Sequence, residues 1–275
     1  MQRPKMTAGD SDPIWTTIRQ EVLDVVDGEP LLASFLHATI LKHERFEDAL
    51  SFNLASKLGT PSLSGMLIRE LIDETFAQDL ALGEAARADT QAVRDRDPAS
   101  HGYSEPFLYF KGFHALQSYR VAHSLWGQRR RSLALHMQNR IAEVFGVDIH
   151  PAARIGNGIL LDHGTSVVIG ETAVVEDNVS MLHEVTLGGT GKETGDRHPK
   201  VRHGVLIGAG AKVLGNVEIG VGAKIGAGSV VLDDVPSHRT VAGVPARVVG
   251  SPNVAEPALE MDQQFPHRHS EGSGI

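Results

Sequence analysis

Residues 147–187, VDIHPAARIGNGILLDHGTSVVIGETAVVEDNVSMLHEVTL, and residues 201–235, VRHGVLIGAGAKVLGNVEIGVGAKIGAGSVVLDDV, share a period of six. Apolar side chains stand at Ile149, Ile155, Leu161 and Val167, then after a slip of two residues at Ile169, Val175, Met181 and Leu187. A further train runs through Val201, Ile207, Val213, Ile219, Ile225 and Val231. Glycine often follows the apolar residue, and four residues on a small or branched side chain recurs, as at Ala153, Thr165, Ala173, Ala211, Ala223 and Ser229. A period of six is foreign to an amphipathic helix and is three times the strand period, so each hexad reads as a short strand plus a turn. Three hexads then close one triangular coil whose apolar residues stack inward on those of the next, giving a parallel β-helix. Between the trains, Gly189 to Lys200 (GTGKETGDRHPK) holds no apolar residue. It reads as a loop thrown out of the coil, and such loops on repeat scaffolds commonly carry function.

Upstream the period changes to that of helices, so the 275-residue chain divides near Gly146. Residues 1–12 read as a polar tail, with Ser11-Asp12-Pro13 as a helix start. Helical segments are expected from Ile14 to Val25, Leu31 to Leu58 (ended by Gly59), Pro61 to Leu80, Ala85 to Arg96 (halted by Asp97-Pro98), Pro106 to Trp126 and Ser132 to Phe145. Residues 13–145 thus form an all-α domain, read as an oligomerisation cap, and residues 146–250 the β-helix. From Ser251 to Ile275 the chain lacks periodicity and is expected to be a flexible tail. The expected fold is α+β: an N-terminal all-α domain followed by a left-handed parallel β-helix of hexapeptide repeats with an inserted loop.

A net charge of −8 without a long basic tract argues against nucleic acid as a partner. No apolar run is long enough to span a bilayer and no export signal follows Met1, so a cytoplasmic location is expected. Cysteine is absent, which removes disulfides, thiolate metal sites and covalent cysteine chemistry.

Polar side chains projecting from the coil must then supply any chemistry. Asp162 and His163 fall where the hexads carry turn residues, so both can point outward while Leu161 stays inside. Asp148 precedes Ile149 as Asp162 follows Leu161 at a coil edge, fourteen residues away. A carboxylate reaching His163 would fix its tautomer and support a general base; the alternative is a surface histidine with an acidic neighbour.

Several motifs carry a family resemblance: PLLASFLHATILKH (30–43), RDPA (96–99), LYFKGFHALQSYR (108–120), DIHPAA (148–153), GDRHPK (195–200), IGAGAKVLGN (207–216) and AGVPARVVG (242–250). Together they resemble bacterial serine O-acetyltransferases over nearly the whole chain. RDPA, KGFHALQ, DIHPAA and GDRHPK are the specific ones, the rest being common to acyltransferases of this fold. The resemblance implies acetyl transfer from acetyl-CoA to the hydroxyl of L-serine, giving the O-acetylserine that feeds cysteine synthesis. It makes His163 the general base with Asp148 as its partner, sets Asp97 and Asp162 on the serine ammonium, and turns Arg197 and His198 toward the carboxylate and the reacting end. With no cysteine to carry an acyl group, direct attack on the thioester is expected. No permanently bound cofactor and no metal are implied.

Acetyl-CoA is expected along the β-helix between adjacent subunits, against Gly189, Thr190, Ala209 and Gly226, with Lys224 toward a phosphate; each glycine is equally a turn residue that the repeat requires. His150, His183 and His203 read as structural. Gly164 in LDHGTS and the pair His183-Glu184 depart from the family's usual residues and bear on fine specificity. The resemblance further implies a homotrimer or dimer of trimers, L-cysteine as a competitor of serine, and docking of the terminal Ile275 into O-acetylserine sulfhydrylase, the cysteine synthase. Three other readings stand: acetylation of a different hydroxyl, such as a sugar's; a γ-carbonic-anhydrase-like metal hydratase built on His163, His198 and His203; and a non-catalytic scaffold whose β-helix positions partners.

Overall fold

The computed structural model describes residues 12–192 and 194–264. Asp12 caps the first helix by accepting from the Trp15 amide at 3.0 Å, and its carboxylate pairs with Arg87 at 2.7 Å, so this residue belongs to the helical domain and not to the tail. Eight helices follow: α1 (Pro13–Gly28), α2 (Ala33–Leu36), α3 (Phe46–Leu58), α4 (Gly65–Gln78), α5 (Ala81–Arg96), α6 (Ser104–Tyr109), α7 (Lys111–Gly127) and α8 (Arg131–Phe145). Their core is continuous with that of the β-domain. Helix α7 lies at its centre, buried from Gly112 to Ala122.

Two expected helices are broken. Residues 31–58 divide because the chain tightens into a 3₁₀ turn at Pro30–Leu32 and a π turn at His37–Leu41 before α3 starts at Phe46. The segment from Pro106 to Trp126 divides at Phe110, whose extended backbone (φ −86°, ψ 110°) ends α6 and starts α7. Residues 42–45, between the π turn and α3, and Phe110 include no proline or glycine, so pattern alone runs through these two hinges. Gly146, left-handed at φ 67°, closes α8 and turns the chain into the solenoid at the expected boundary.

The solenoid is a parallel β-helix of about five turns with three faces. The first face stacks β1 (Val147–Ile149), β4 (Val167–Ile169), β7 (Thr186–Gly188), β10 (Lys212–Leu214) and β13 (Val230–Val231). The second stacks β2 (Arg154–Ile155), β5 (Val174–Val175), β8 (Lys200–Val201) and β11 (Glu218–Ile219). The third stacks β3 (Leu160–Leu161), β6 (Ser180–Met181), β9 (Leu206–Ile207), β12 (Lys224–Ile225) and β14 (Thr240–Ala242), closed by the antiparallel β15 (Arg247–Gly250). The hexad residues Ile149, Ile155, Ile169, Val175, Met181, Leu187, Val201 and their successors point inward as the period requires.

Strand register measures each coil. The regular step is eighteen residues, as from Lys200 to Glu218 and from Lys212 to Val230. The first coil steps twenty, Val147 lying opposite Val167 and Leu160 opposite Ser180, so the two extra residues fall between Leu161 and Val167. The step from Val174 to Lys200 is twenty-six, and the eight extra residues fall between β7 and β8. Both irregularities visible in the hexad pattern are therefore real insertions at corners.

A buried polar junction joins the domains. Asp89 on α5 pairs with Arg120 on α7 at 2.7 Å, and its other oxygen accepts from the Ile159 amide at 2.9 Å. Arg120 also donates to the carbonyls of Ile155 and Gly156, and Tyr119 to that of Ala153 at 2.5 Å. Arg96, at the end of α5, donates to Gly158 O, Ser180 Oγ and Asn178 Oδ1.

The expected flexible tail starts too early at Ser251. A short helix α9 (Pro257–Glu260) buries Pro257 and Ala258 against the third face, with Ser180 Oγ donating to Ala258 O at 2.9 Å and Ala258 N to Gly204 O. Two apolar residues in a polar stretch suffice because their partners come from distant coils. No helix among the described residues is long and apolar enough to cross a membrane.

Candidate active site

The two-residue insertion in the first coil builds the corner Asp162 to Ser166. His163, Gly164 and Ser166 take left-handed backbones (φ 56°, 70° and 59°), which folds the extra residues outward as a bulge. The His163 side chain is 73% exposed and stands 3.8 Å from Asp162 Oδ1 through Nε2. The helical domain presses on this corner from behind: a β-carbon at Gly112 would fall on the Leu161 carbonyl oxygen, and one at Gly164 would come within 3.0 Å of the Gly112 α-carbon. Only glycine permits that approach.

A cavity of about 900 Å³ opens in front of the bulge. Solenoid residues Leu160 to His163 line one wall, and Val93 to Ser100 with Tyr109 to Phe113 the other, so Asp97 faces Asp162 across it. Residues Glu260, Met261 and Gln263 close its rim. Burial pushes the Asp162 carboxyl above the usual range; the neighbouring His163 opposes this, and the Asp97 carboxylate adds to it. A pair of carboxylates that resist sharing one space is a site for a cation.

The eight-residue insertion builds the second corner. His198 is buried, its Nδ1 accepting from the Thr172 amide at 3.2 Å and lying 2.9 Å from Thr172 Oγ1. The same hydroxyl accepts from the amides of Arg197 and His198. The ring lies so close over Gly170 that no β-carbon would fit there. Arg197 pairs with Glu171 at 2.7 Å. Burial, then the charges of Arg197 and Lys200, hold the His198 imidazole below its ordinary range. This corner begins after β4 and the His163 bulge ends before it, so the two flank one three-residue strand, roughly 10 Å long.

The profile for the N-terminal domain of serine acetyltransferases matches residues 14–118, and that for bacterial transferase hexapeptides (six repeats) matches residues 198–233. The serine acetyltransferase of Escherichia coli K12 is 56% identical over 273 residues, covering 98% of this chain and all of its own. The chain belongs to the serine acetyltransferase family. A solved serine acetyltransferase in complex with cysteine is 56% identical with a TM-score of 0.90, covering 92% of this chain and 98% of its own. The serine acetyltransferase of Brucella abortus strain S19 in complex with coenzyme A is 53% identical with a TM-score of 0.86, covering 88% and 96%.

Measured against the residues that the family resemblance singles out, the chain unites Asp97, Asp162 and His163 in one cavity. Asp148, on β1, points outward beside Val168, and its Oδ1 accepts from Gln138 Nε2 at 2.7 Å. The carboxylate in contact with the His163 ring is that of Asp162, at 3.8 Å. Gly189 and Thr190 open the second corner, whereas Ala209 and Gly226 lie on the edge that carries His163, where Gly210 N bonds His183 O and Gly228 N bonds Ala209 O. Lys224 is buried on the third face, its ammonium donating to the Gln264 carbonyl and standing 4.0 Å from Asp262. The chain's own C-terminal segment therefore covers the position read as a phosphate contact. Ile275 lies outside the described residues. His163, His198 and His203 occupy three different corners, and His203 turns to Glu256 at 3.3 Å. Among the described residues no His, Cys, Asp and Glu are grouped so as to hold a metal.

Sequence reasoning found only one residue of the helical domain's share of the site. Asp97 was singled out through RDPA, yet Lys111 and Arg94, which line the same cavity, were not. The KGFHALQ motif contained the signal: its glycine is the contact that brings α7 onto the bulge.

Proposed function

We infer that the chain transfers acetyl from acetyl-CoA to the hydroxyl of L-serine, giving O-acetyl-L-serine and CoA, the step that supplies cysteine synthesis. One observation carries the reading: a single cavity, walled by both domains, sets the exposed imidazole of His163 beside Asp97 and Asp162. Two carboxylates in a partly buried space match the serine ammonium, and the imidazole beside them matches a hydroxyl held by that ammonium.

The reaction then runs in two proton transfers. His163 takes the proton from serine Oγ as the oxygen attacks the thioester carbonyl and the new C–O bond forms. The tetrahedral oxyanion collapses, the C–S bond breaks, and His163 returns the proton to the departing sulfur. A positioned base contributes about 10² to 10⁴ in rate. Asp148, held by Gln138, is proposed to support the imidazolium.

The serine carboxylate needs a cation, and Arg197 is proposed to supply it, with the uncharged His198 beside it toward the reacting end. Serine is only about 5 Å long, too short to reach from His163 to the second corner of the same chain across a strand of about 10 Å. We therefore place the site at a seam, where the bulge of one copy meets the loop of another in a closed trimer, or a dimer of trimers, with acetyl-CoA lying between them along Gly189, Thr190, Ala209 and Gly226. Release of Arg197 from Glu171 to the substrate completes the site. Cysteine, differing from serine by one atom, is proposed to compete in the same cavity, and Ile275 to anchor cysteine synthase. The cytoplasm is the proposed compartment.

The test is release of CoA from acetyl-CoA with L-serine set against homoserine, threonine and simple sugars. Turnover with L-serine alone is expected; preference for a sugar would overturn the substrate. Deleting Ile275 is expected to abolish binding to cysteine synthase and leave acetyl transfer intact, and unchanged binding would refute the anchor.

A further inference from the structure

Asp97 is placed on the serine ammonium, yet residues 97–103 belong to no helix or strand. Loops come from the least stable parts of a fold, so a carboxylate that has to meet a small ammonium from such a segment must be held from both ends. Upstream, Arg96 supplies the hold through its three solenoid groups. Downstream it comes from α1. One carboxylate oxygen of the half-buried Glu21 accepts from the Tyr103 amide at 3.1 Å, and the other from the Ser104 amide at 2.7 Å. Hydrogen bonds to a carboxylate are about twice as strong as neutral ones, and among the described residues this carboxylate makes no others. A β-carbon at Gly102 would stand 2.6 Å from it, so the loop makes its closest approach at a glycine.

Capping the start of α6 would account for these two bonds alone, but they continue inward to the cavity. The peptide unit between Gly102 and Tyr103 is planar and rigid, and it is engaged at both ends: its N–H donates to Glu21, and its carbonyl accepts from Ser100 Oγ at 3.0 Å. Ser100 is buried at the cavity wall, and its own amide donates to the Asp97 carbonyl at 3.0 Å. Ala99 N donates to Asp97 Oδ1 at 2.9 Å, which leaves Oδ2 for a ligand. Glu21, the Gly102–Tyr103 peptide, Ser100 and Asp97 thus form one chain of hydrogen bonds that strengthen one another. Resting on the acetyl transfer inferred above, in which Asp97 and Asp162 take the serine ammonium, we propose that Glu21 is a positioning residue for that site. Through the peptide and Ser100 it fixes Asp97 opposite Asp162, and with it the width of the space offered to the ammonium. Glu21 itself touches neither substrate. Its loss lets Asp97 range more widely, which weakens serine in the ground and transition states alike, so the KM for serine rises while kcat holds.

The experiment uses the full chain with Glu21→Gln, which keeps the side chain's shape but only one acceptor oxygen, and Ser100→Ala, which cuts the chain of bonds one step nearer the site. Each is made alone and combined with Asp97→Ala, and kcat and the KM values for L-serine and acetyl-CoA are measured. Glu21→Gln is expected to raise the KM for serine about fivefold and Ser100→Ala about threefold, with kcat and the KM for acetyl-CoA within about twofold of wild type. In the combined variants the serine KM should equal that of Asp97→Ala alone, because the residue through which Glu21 acts is already gone. A general loosening of the helical domain would instead multiply with Asp97→Ala and move both substrates. An unchanged serine KM in Glu21→Gln overturns the proposal, as do equal rises for serine and acetyl-CoA or full multiplication in the combined variant. If Glu21→Gln does not fold, Ser100→Ala with its combined variant decides on the same outcomes. Asp97→Ala with a wild-type serine KM would refute the ammonium site on which the proposal rests.

Discussion

The two insertions in the solenoid differ in how they are held. The bulge at Asp162 to Ser166 adds two residues, leaves His163 exposed, and is backed by the helical domain through Gly112. The loop between β7 and β8 adds eight, buries His198, and is tied down by Thr172 and Glu171 on its own coil. A regular coil of eighteen residues offers only turns, so chemistry enters where the coil departs from that length. The short insertion holds on a rigid corner the exposed imidazole proposed as the base. The long one stores an arginine whose ion pair with a half-exposed glutamate is weak enough to exchange for a ligand's carboxylate.

The sharpest way to break the comparison is at the rigid corner. His163→Ala is expected to lower kcat by at least two decades with the far-ultraviolet circular dichroism unchanged, and near-wild-type turnover would remove the bulge from the chemistry. The next effect is on stability. Asp89→Ala strips the buried partner of Arg120 and is expected to cost about 3–5 kcal/mol in denaturant unfolding, since the guanidinium stays buried without its counter-charge. Glu171→Ala, at the loop, should cost less than about 1 kcal/mol. Equal losses would erase the distinction between the corners.

Asp97→Ala should raise the KM for serine at least tenfold, an ion pair's worth of roughly 1.4 kcal/mol, and leave that for acetyl-CoA within a few-fold. A smaller effect carries a sign. Burial raises the Asp162 carboxyl, so its ionised form is disfavoured in the folded chain. Its contribution to stability is therefore complete at low pH and is lost as pH rises through the folded value. Asp162→Asn should melt higher than wild type at pH 7, with the difference vanishing on acidification through the carboxylate range. His198 behaves oppositely: with its imidazole held low, stability is complete above the ordinary histidine range and falls below it. Protection of the loop amides, after correction for the intrinsic exchange rate, should fall as pH drops below about 6.5.

Much of this was legible in the hexads. Ile149 to Val231 revealed the coil, the two-residue slip after Val167 marked the bulge, and the apolar-free stretch from Gly189 marked the loop. The slip was read as a change of phase; only strand register shows that it lies between Leu161 and Val167, around His163. What stayed hidden depends on contacts between distant residues. Nothing local says that Asp89 bonds the Ile159 amide, that the hinge at Phe110 places Gly112 on Leu161, or that Ala258 seats the polar C-terminal segment over the third face and covers Lys224. Asp97 could be named from RDPA, but its place opposite Asp162 follows from Arg96 reaching three solenoid groups.

The central claim is that the two corners work together across a seam between copies. Two inactive variants, His163→Ala and Arg197→Ala, would be purified separately, mixed, dissociated in mild denaturant and reassociated, and assayed for CoA release with L-serine. In a seam-borne site, one chain of a mixed oligomer supplies an intact bulge and its neighbour an intact loop, so activity should return to about a quarter of the wild-type value in an equal mixture. Activity that stays at the level of the separate variants would contradict the account and confine each site to a single chain.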